Sequence, residues 1–436
     1  MSKRMKNVPT KVIFNADDFG ISLGVNAAIE KAYRKGILNA ASLMVNQKYA
    51  VQAVEMSQKM ENLDLGLHVN LTNEFSTLPH ENLPLLTDED GRFKHGFLGL
   101  LLLSIFKSKD MRREVKAEME AQIQKAQDMG ANLKHIDSHR HVHMIPLIFK
   151  EMLALKEKYG IGRMRVINES AAMTIKTNKN KQYLWDGGLL KYCLLKLFSI
   201  LNGYQSNIYF YTMLYTCKLS KDHFQKILVP RGFDAVEIMI HPSITKIDEG
   251  HREDIFDQNV LSDWRDKEFE TLTDKKILQN FEFNANYPFL FELYFKVEKI
   301  WFEKVHEKLR FLLVGGFNTV FAYGVYAFLL RLICLPYMFA LALQYFITIN
   351  VSVFTMRYYV FRSKGDFMAE FLKAWSVYLV LFFVNTLGLS FLVEICKIDE
   401  LWAQGVYLIF STIVTYLLHK YFSFSKKVNK KKDLKQ

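Results

Sequence analysis

The chain is short of cysteine, proline and glycine. Four cysteines (Cys193, Cys217, Cys334 and Cys396) in 436 residues are too few and too scattered for a disulfide framework or a CxxC metal site. They read as buried free thiols. Eight prolines and 21 glycines exclude collagen-like and long flexible-linker architectures. Half the residues are hydrophobic and 14% are aromatic, which excludes a disordered chain. Charge is spread unevenly. There are 57 basic and 45 acidic residues, a net charge of +12, yet Phe311–Leu330, Leu332–Met356, Ala374–Val393 and Leu401–Leu418 hold no charged residue. A chain of this length is expected to form two to three domains.

Crossing a bilayer takes about 20 apolar residues. Four uncharged stretches in succession therefore predict four transmembrane helices rather than one buried helical core. Lys304, Lys308 and Arg310 precede the first stretch. Arg357, Arg362, Lys364 and Lys373 separate the second from the third, and Lys420 with a lysine-rich tail follows the fourth. By the positive-inside rule both ends are expected on the cytoplasmic side of a multi-pass inner (cell) membrane protein. The basic tail reads as a topology signal or a contact to anionic membrane lipid, so no nucleic-acid partner is expected. The first ten residues are polar, and no signal peptide is expected.

Residues 1–280 alternate short apolar runs with helical spacing. Strands are predicted at Val12–Ala16, Ser42–Asn46, Leu63–Val69, Leu133–Ser138, Arg163–Ile167 and Val236–His241. Helices are predicted at Asn26–Arg34, Ala50–Met60, Met111–Met129 and Pro146–Lys158. Repeated βα units imply a parallel sheet, barrel or open, with chemistry at the C-terminal ends of its strands. Two apolar stretches interrupt the pattern, Phe97–Phe106 and Leu184–Leu201. The first is too short to span, and the second contains Lys191 and Lys196. They read either as core helices or as helices lying on a bilayer surface. Asn284–Arg310 reads as a juxtamembrane helix.

Four polar clusters stand at predicted strand ends: Asn15-Ala16-Asp17-Asp18-Phe19-Gly20, Gly66-Leu67-His68-Val69-Asn70, His135 through His143, and Met239-Ile240-His241-Pro242. Adjacent carboxylates after a buried strand are costly unless a cation or a reacting proton uses them. They are expected to point in different directions, one to a metal and one to the substrate. Four histidines in nine residues are hard to explain by packing. His139, His141 and His143 would share one face of an extended segment. One carboxylate and two histidines make the open coordination of a catalytic metal, with a second carboxylate as base and a histidine as acid. Those parts suit amide hydrolysis.

The first three clusters, in this order and spacing, resemble the YdjC/ChbG carbohydrate deacetylase family from about Lys11 to about residue 280. That resemblance implies an α/β fold with a (β/α) barrel-like deacetylase domain. It also implies removal of N-acetyl groups from amino sugars with a divalent metal ion, Mg2+ by the family or Zn2+ by the donor set. Carried over residue by residue, it makes Asp17 the general base and His241 the general acid. Asp18, His68 and His139 become the metal ligands. His143 and Asn70 are candidate substrate contacts.

Residues from about 308 to 425 resemble the GtrA-like family. The matching segments are Arg310-Phe311-Leu312-Leu313-Val314-Gly315-Gly316 and Asn350 through Phe361. This implies an all-α membrane domain with four transmembrane helices, linked to translocation of polyprenyl-phosphate sugars. Asn318, Gln344, Asn350, Asn385 and Gln404 would line a headgroup path or bond helix to helix. The expected domains are 1–283 (deacetylase), 284–309 (helical connector), 310–425 (membrane domain) and 426–436 (basic tail). The expected activity is deacetylation of an N-acetylated amino sugar, polyprenyl-phosphate-linked, in cell-surface polysaccharide assembly beside glycosyltransferase partners. Two alternatives are a translocase whose N-terminal domain only binds sugar, and an anchored deacetylase of soluble chitooligosaccharides.

Overall fold

A computed structural model of the chain describes residues 11–178, 188–286, 289–331, 337–363, 365–391, 397 and 412–424. The basic tail, Cys334, Cys396, Gln404, the side chain of Asn385 and most of Leu401–Leu418 lie outside the described residues. The chain divides into two compact units, Met1–Phe289 and Leu290–Gln436.

In the first unit, strands and helices alternate as β1 (Lys11–Phe19), α1 (Leu23–Lys35), β2 (Ala40–Leu43), α2 (Ala50–Gln58) and β3 (Asp64–Val69). After α3 (Phe97–Phe106) and α4 (Ser108–Asp128) come β4 (His135–Ser138), α5 (Pro146–Lys158) and β5 (Arg163–Met164). Helices α6 (Ala171–Thr177) and α7 (Gly188–Asn202) lead to β6 (Ile208–Tyr211), β7 (Ile227–Pro230) and β8 (Ala235–Ile240). Two further helices, α8 (Thr245–Asp248) and α9 (Asp263–Leu272), precede β9 (Phe281–Ala285). Seven strands form one parallel sheet in the order β5-β4-β3-β2-β1-β8-β6, while β7 and β9 pair separately.

The (β/α) alternation and the curled, half-barrel parallel sheet are as expected; among the described residues β5 and β6 are its edge strands. Strands β6, β7 and β9 were not legible in the sequence. The central strands are buried along their length, as strands covered on both faces must be. Leucine, isoleucine and methionine from the sheet and from α1, α4 and α5 fill the core. Ser22 caps α1, accepting from Val25 N at 3.1 Å, and Pro146 opens α5 at its first turn, where a missing N–H costs nothing.

Parallel pairing sets which side chains meet. Ser42, Gly66 and His135 share one row across β2, β3 and β4, and His68 and Asp137 share the row toward the C-terminal edge. In β1 the register slips between Ala16 and Phe19, and Asp18 adopts φ +66°. This bulge re-aims consecutive side chains.

The second unit holds α10 (Phe289–Lys304), α11 (Glu307–Arg331), α12 (Tyr337–Thr355) and α13 (Phe367–Ser390). A π-helical turn, Met356–Phe361, extends α12. Phe311, Val314, Val353, Met356, Val360 and Ala374 form its core. Asn318 donates to Ser352 Oγ (3.0 Å) and Thr355 Oγ1 (2.9 Å), tying α11 to α12. Gln344 bonds Thr348, and Asn350 donates to the Phe346 carbonyl. Among the described residues no helix is long and apolar enough to cross a membrane.

Candidate functional site

The polar clusters converge at the C-terminal edge of the sheet, where βα connections leave room for a site. The β1 bulge brings both carboxylates to His68. Its Nε2 lies 3.5 Å from Asp18 Oδ1 and 3.9 Å from Asp17 Oδ2. The two carboxylates therefore share a site, although their other partners differ. Asp18 receives His139 Nδ1 at 3.0 Å and Arg265 Nη2 at 2.7 Å. Asp17 receives both terminal nitrogens of Arg165, at 2.7 Å each, and Asn15 Nδ2 at 2.8 Å.

Asp18, His68 and His139 each offer a ligand atom within 4.8 Å of the others, and all three are buried. Behind them, His68 Nδ1 lies 2.6 Å from Asp137 Oδ1, the carboxylate–imidazole pair that turns a histidine's other nitrogen toward a metal. Asp137 also accepts from Ser42 Oγ at 2.8 Å and pairs with Arg165 at 2.7 Å. His139 turns Nδ1 to Asp18 Oδ1, while its buried Nε2 has no hydrogen-bond partner and lies 3.8 Å from Asp257 Oδ2. Four carboxylates (Asp17, Asp18, Asp137 and Glu237) face only two guanidiniums, Arg165 and Arg265. The excess of carboxylates and this O/N donor set fit a divalent cation.

Burial opposes charge on these groups, but their partners overcome it. Arg265 and His139 hold the Asp18 carboxyl well below the usual carboxylate range. Burial likewise works against His68, yet Asp137 and Asp17 push it up to about 10. Asp137 is held below its ordinary value against burial by Arg165 and His68.

His241 follows β8. Its Nε2 stands 3.9 Å from Asp17 Oδ2, and its Nδ1 is 3.7 Å from Glu268. Glu268 accepts the His241 backbone N–H at 2.5 Å, and Trp264 packs edge-on to the ring.

The expectation of one extended histidine face is overturned. His139–Met144 is a tight turn in which Arg140 and His141 both have φ +55°. Only His139 reaches the carboxylates. His141 packs against Phe210 and His143. His143 Nδ1 meets Ser138 Oγ at 2.6 Å, and its Nε2 lies 3.2 Å from the Arg165 carbonyl. Asn70 is also buried, and its amide and carbonyl serve the Asn70–Asn73 turn.

Sequence reasoning missed Arg165, Glu237 and Arg265. Arg165 Nε donates to Glu237 Oε1 at 2.7 Å, so one guanidinium joins β1, β4 and β8. The signal was a single charge inside an apolar run, in Met164-Arg165-Val166 and Val236-Glu237-Ile238. Such a charge is tolerated in a buried strand only when paired.

Residues 11–282 match the family model described as YdjC-like protein, and residues 310–424 match the one described as GtrA/DPMS, transmembrane domain. A carbohydrate deacetylase of Listeria monocytogenes serotype 4a is 38% identical over 167 residues, 38% of this chain and 65% of that protein. One from Brevibacillus brevis is 38% identical over 151 residues, 35% of this chain and 57% of its own. One from Thermoanaerobacter pseudethanolicus is 33% identical over 150 residues, 34% of this chain and 58% of its own. The chain spans less than two thirds of the length of these curated relatives.

Proposed function

The chain belongs to the YdjC-like protein family through residues 11–282, and from that premise we propose that it is a divalent-metal-dependent carbohydrate N-deacetylase fixed to a membrane. The observation that carries this reading is the buried trio Asp18, His68 and His139, with Asp17 on one side and His241 facing Asp17 at 3.9 Å.

Asp18, His68 and His139 would hold the ion. Once bound, it supplies Lewis acidity toward an acetyl carbonyl and acidifies water at the site. Asp17, oriented by Arg165 and Asn15, takes the proton of the attacking water. His241, oriented through Glu268, gives a proton to the departing amine nitrogen. The C–N bond breaks, leaving acetate and the free amino sugar. Arg265 holds Asp18 Oδ2 at 2.7 Å, and Asp18 Oδ1 is the oxygen that faces His68 and His139.

The membrane part of the proposal is that residues 310–425 cross the bilayer four times, with both ends cytoplasmic. Its support is the GtrA/DPMS match and the outward apolar face of α11, where Leu312, Leu313, Phe317, Val320 and Tyr323 are exposed. Water does not favour so large an apolar surface. An enzyme fixed to a membrane is suited to a polyprenyl-phosphate-linked amino sugar.

The test is mass spectrometry of a polyprenyl-phosphate N-acetylhexosamine incubated with the full chain and a divalent ion, with Asp17→Asn as control. Loss of one acetyl group with wild type alone is the expected result. Loss only from a soluble chitooligosaccharide would remove the lipid-linked substrate. Loss from neither would overturn the enzyme in favour of a sugar-binding translocase.

A further inference from the structure

Helices α3 and α7 have the same unusual character. Each buries one side and leaves a row of large apolar side chains outside. On α3, Leu100 is fully buried while Leu98, Leu102 and Phe106 are exposed at 66%, 46% and 75%. These three recur at four-residue spacing and so share one face. On α7, Tyr192, Leu195 and Phe198 are buried while Leu190, Leu197 and Ile200 are exposed. Phe97 and Phe198 stack, with ring centroids 6.3 Å apart, and join the two helices. Both pack against the His139–Met144 turn. Asn202 pins the end of α7 there by donating to the Met144 carbonyl at 3.0 Å. The exposed apolar surface is therefore built onto the turn that carries His139.

The surroundings of this face indicate what it meets. Lys107 and Lys109 are exposed where α3 gives way to α4, Arg112 and Arg113 beside them pair with Glu151 and Glu114, and Lys191 is exposed on α7. Apolar side chains bordered by lysine and arginine are the pattern of a segment resting at the headgroup boundary of an anionic leaflet. A soluble protein partner would not require the cations.

We infer that the joined outer faces of α3 and α7 dock on the anionic surface of a lipid bilayer, next to the histidine turn of the site. This rests on the reading of residues 310–425 as a membrane domain. The docked face delivers a lipid-linked sugar to the site without lifting its lipid from the leaflet.

The experiment places photoreactive benzoylphenylalanine at Phe106 or Leu190 of the full chain, reconstituted in vesicles of phosphatidylethanolamine and phosphatidylglycerol. Val51, 60% exposed on α2, is the control position. The expected result is a lipid adduct several-fold more abundant from Phe106 and Leu190 than from Val51. Equal yields, or adducts to a second copy of the chain, would overturn the inference. The double variant Phe106→Glu/Leu190→Glu, checked for folding by its thermal melt, should lose turnover of the lipid-linked sugar and keep that of the soluble one. Equal turnover of both would also overturn it. Because the lipid adduct needs no catalysis, an inactive protein that still labels lipid would sink the deacetylase reading and leave the docking face standing.

Discussion

Arg165 grips Asp17 with two parallel 2.7 Å hydrogen bonds, and the same guanidinium reaches Asp137 and Glu237. One side chain thereby sets the positions of the proposed base and of the carboxylate behind His68. Arg165→Lys keeps the charge but cannot span this fork. The expected loss is about 3 kcal/mol of stability, the order found when a buried pair is broken. Turnover should fall roughly 100-fold from misplacement of the base. Denaturant melts and deacetylation rates check both, and a variant indistinguishable from wild type would refute the positioning role.

The two adjacent aspartates should separate by function. Asp18→Asn is expected to abolish divalent-ion binding in titration calorimetry. Asp17→Asn should keep ion affinity within a few-fold and lower turnover by about 10²–10⁴, the usual worth of a general base. Loss of ion binding in Asp17→Asn would move Asp17 into the ligand set.

Ion binding should release a proton. Asp137 and Asp17 overcome burial and raise His68 to about 10, whereas ligation takes a neutral imidazole. Affinity is therefore expected to rise with pH across the neutral range. The binding heat should change between two buffers of different ionisation enthalpy, and identical heats in both would contradict the proton release.

His143 should make the protein acid-sensitive. Burial holds its imidazole down at about 4, Arg165 adds to this, and Asp137 opposes it. The ring is thus neutral when folded and charges in the unfolded chain below about 6.5. A depressed histidine contributes stability that is present above the unfolded value and is lost as pH falls from about 6.5 to about 4. The effect is roughly 3 kcal/mol at most. His143→Gln is expected to flatten the melting profile over that window, and an unchanged slope would rule His143 out as its source.

Gly66 leaves room for another side chain. His135 lies over it to reach Ser42 Oγ at 3.1 Å and Asp64 Oδ1 at 3.0 Å, and a Cβ on Gly66 would overlap the His135 ring. Gly66→Ala should cost about 1–3 kcal/mol as an overpacked core position. A melt equal to wild type would show that the ring has somewhere else to go.

The division of the chain into an alternating α/β part and a helical part with long uncharged runs was readable from charge placement and apolar runs, because a buried environment excludes unpaired charge. The clusters Asp17-Asp18, His68, His139 and His241 were readable as well, since polar residues at the ends of apolar strands have few structural uses. Residue spacing alone did not show which histidines act together. A period of two put His139, His141 and His143 on one face, but two left-handed residues curl the segment and send only His139 to Asp18. The bulge in β1 was equally silent, because nothing in Asp17-Asp18 announces the slip that turns both toward His68.

Local chemistry along the chain settles which residues are expensive to bury and so must be used. Pairing across the sheet settles who uses them. His68 meets Asp137 because β3 and β4 place them in one row. Arg165 joins Asp17, Asp137 and Glu237 from strands far apart in the chain. Such contacts arise from strand order and register, which no short stretch of residues encodes, because they exist only once distant strands lie side by side.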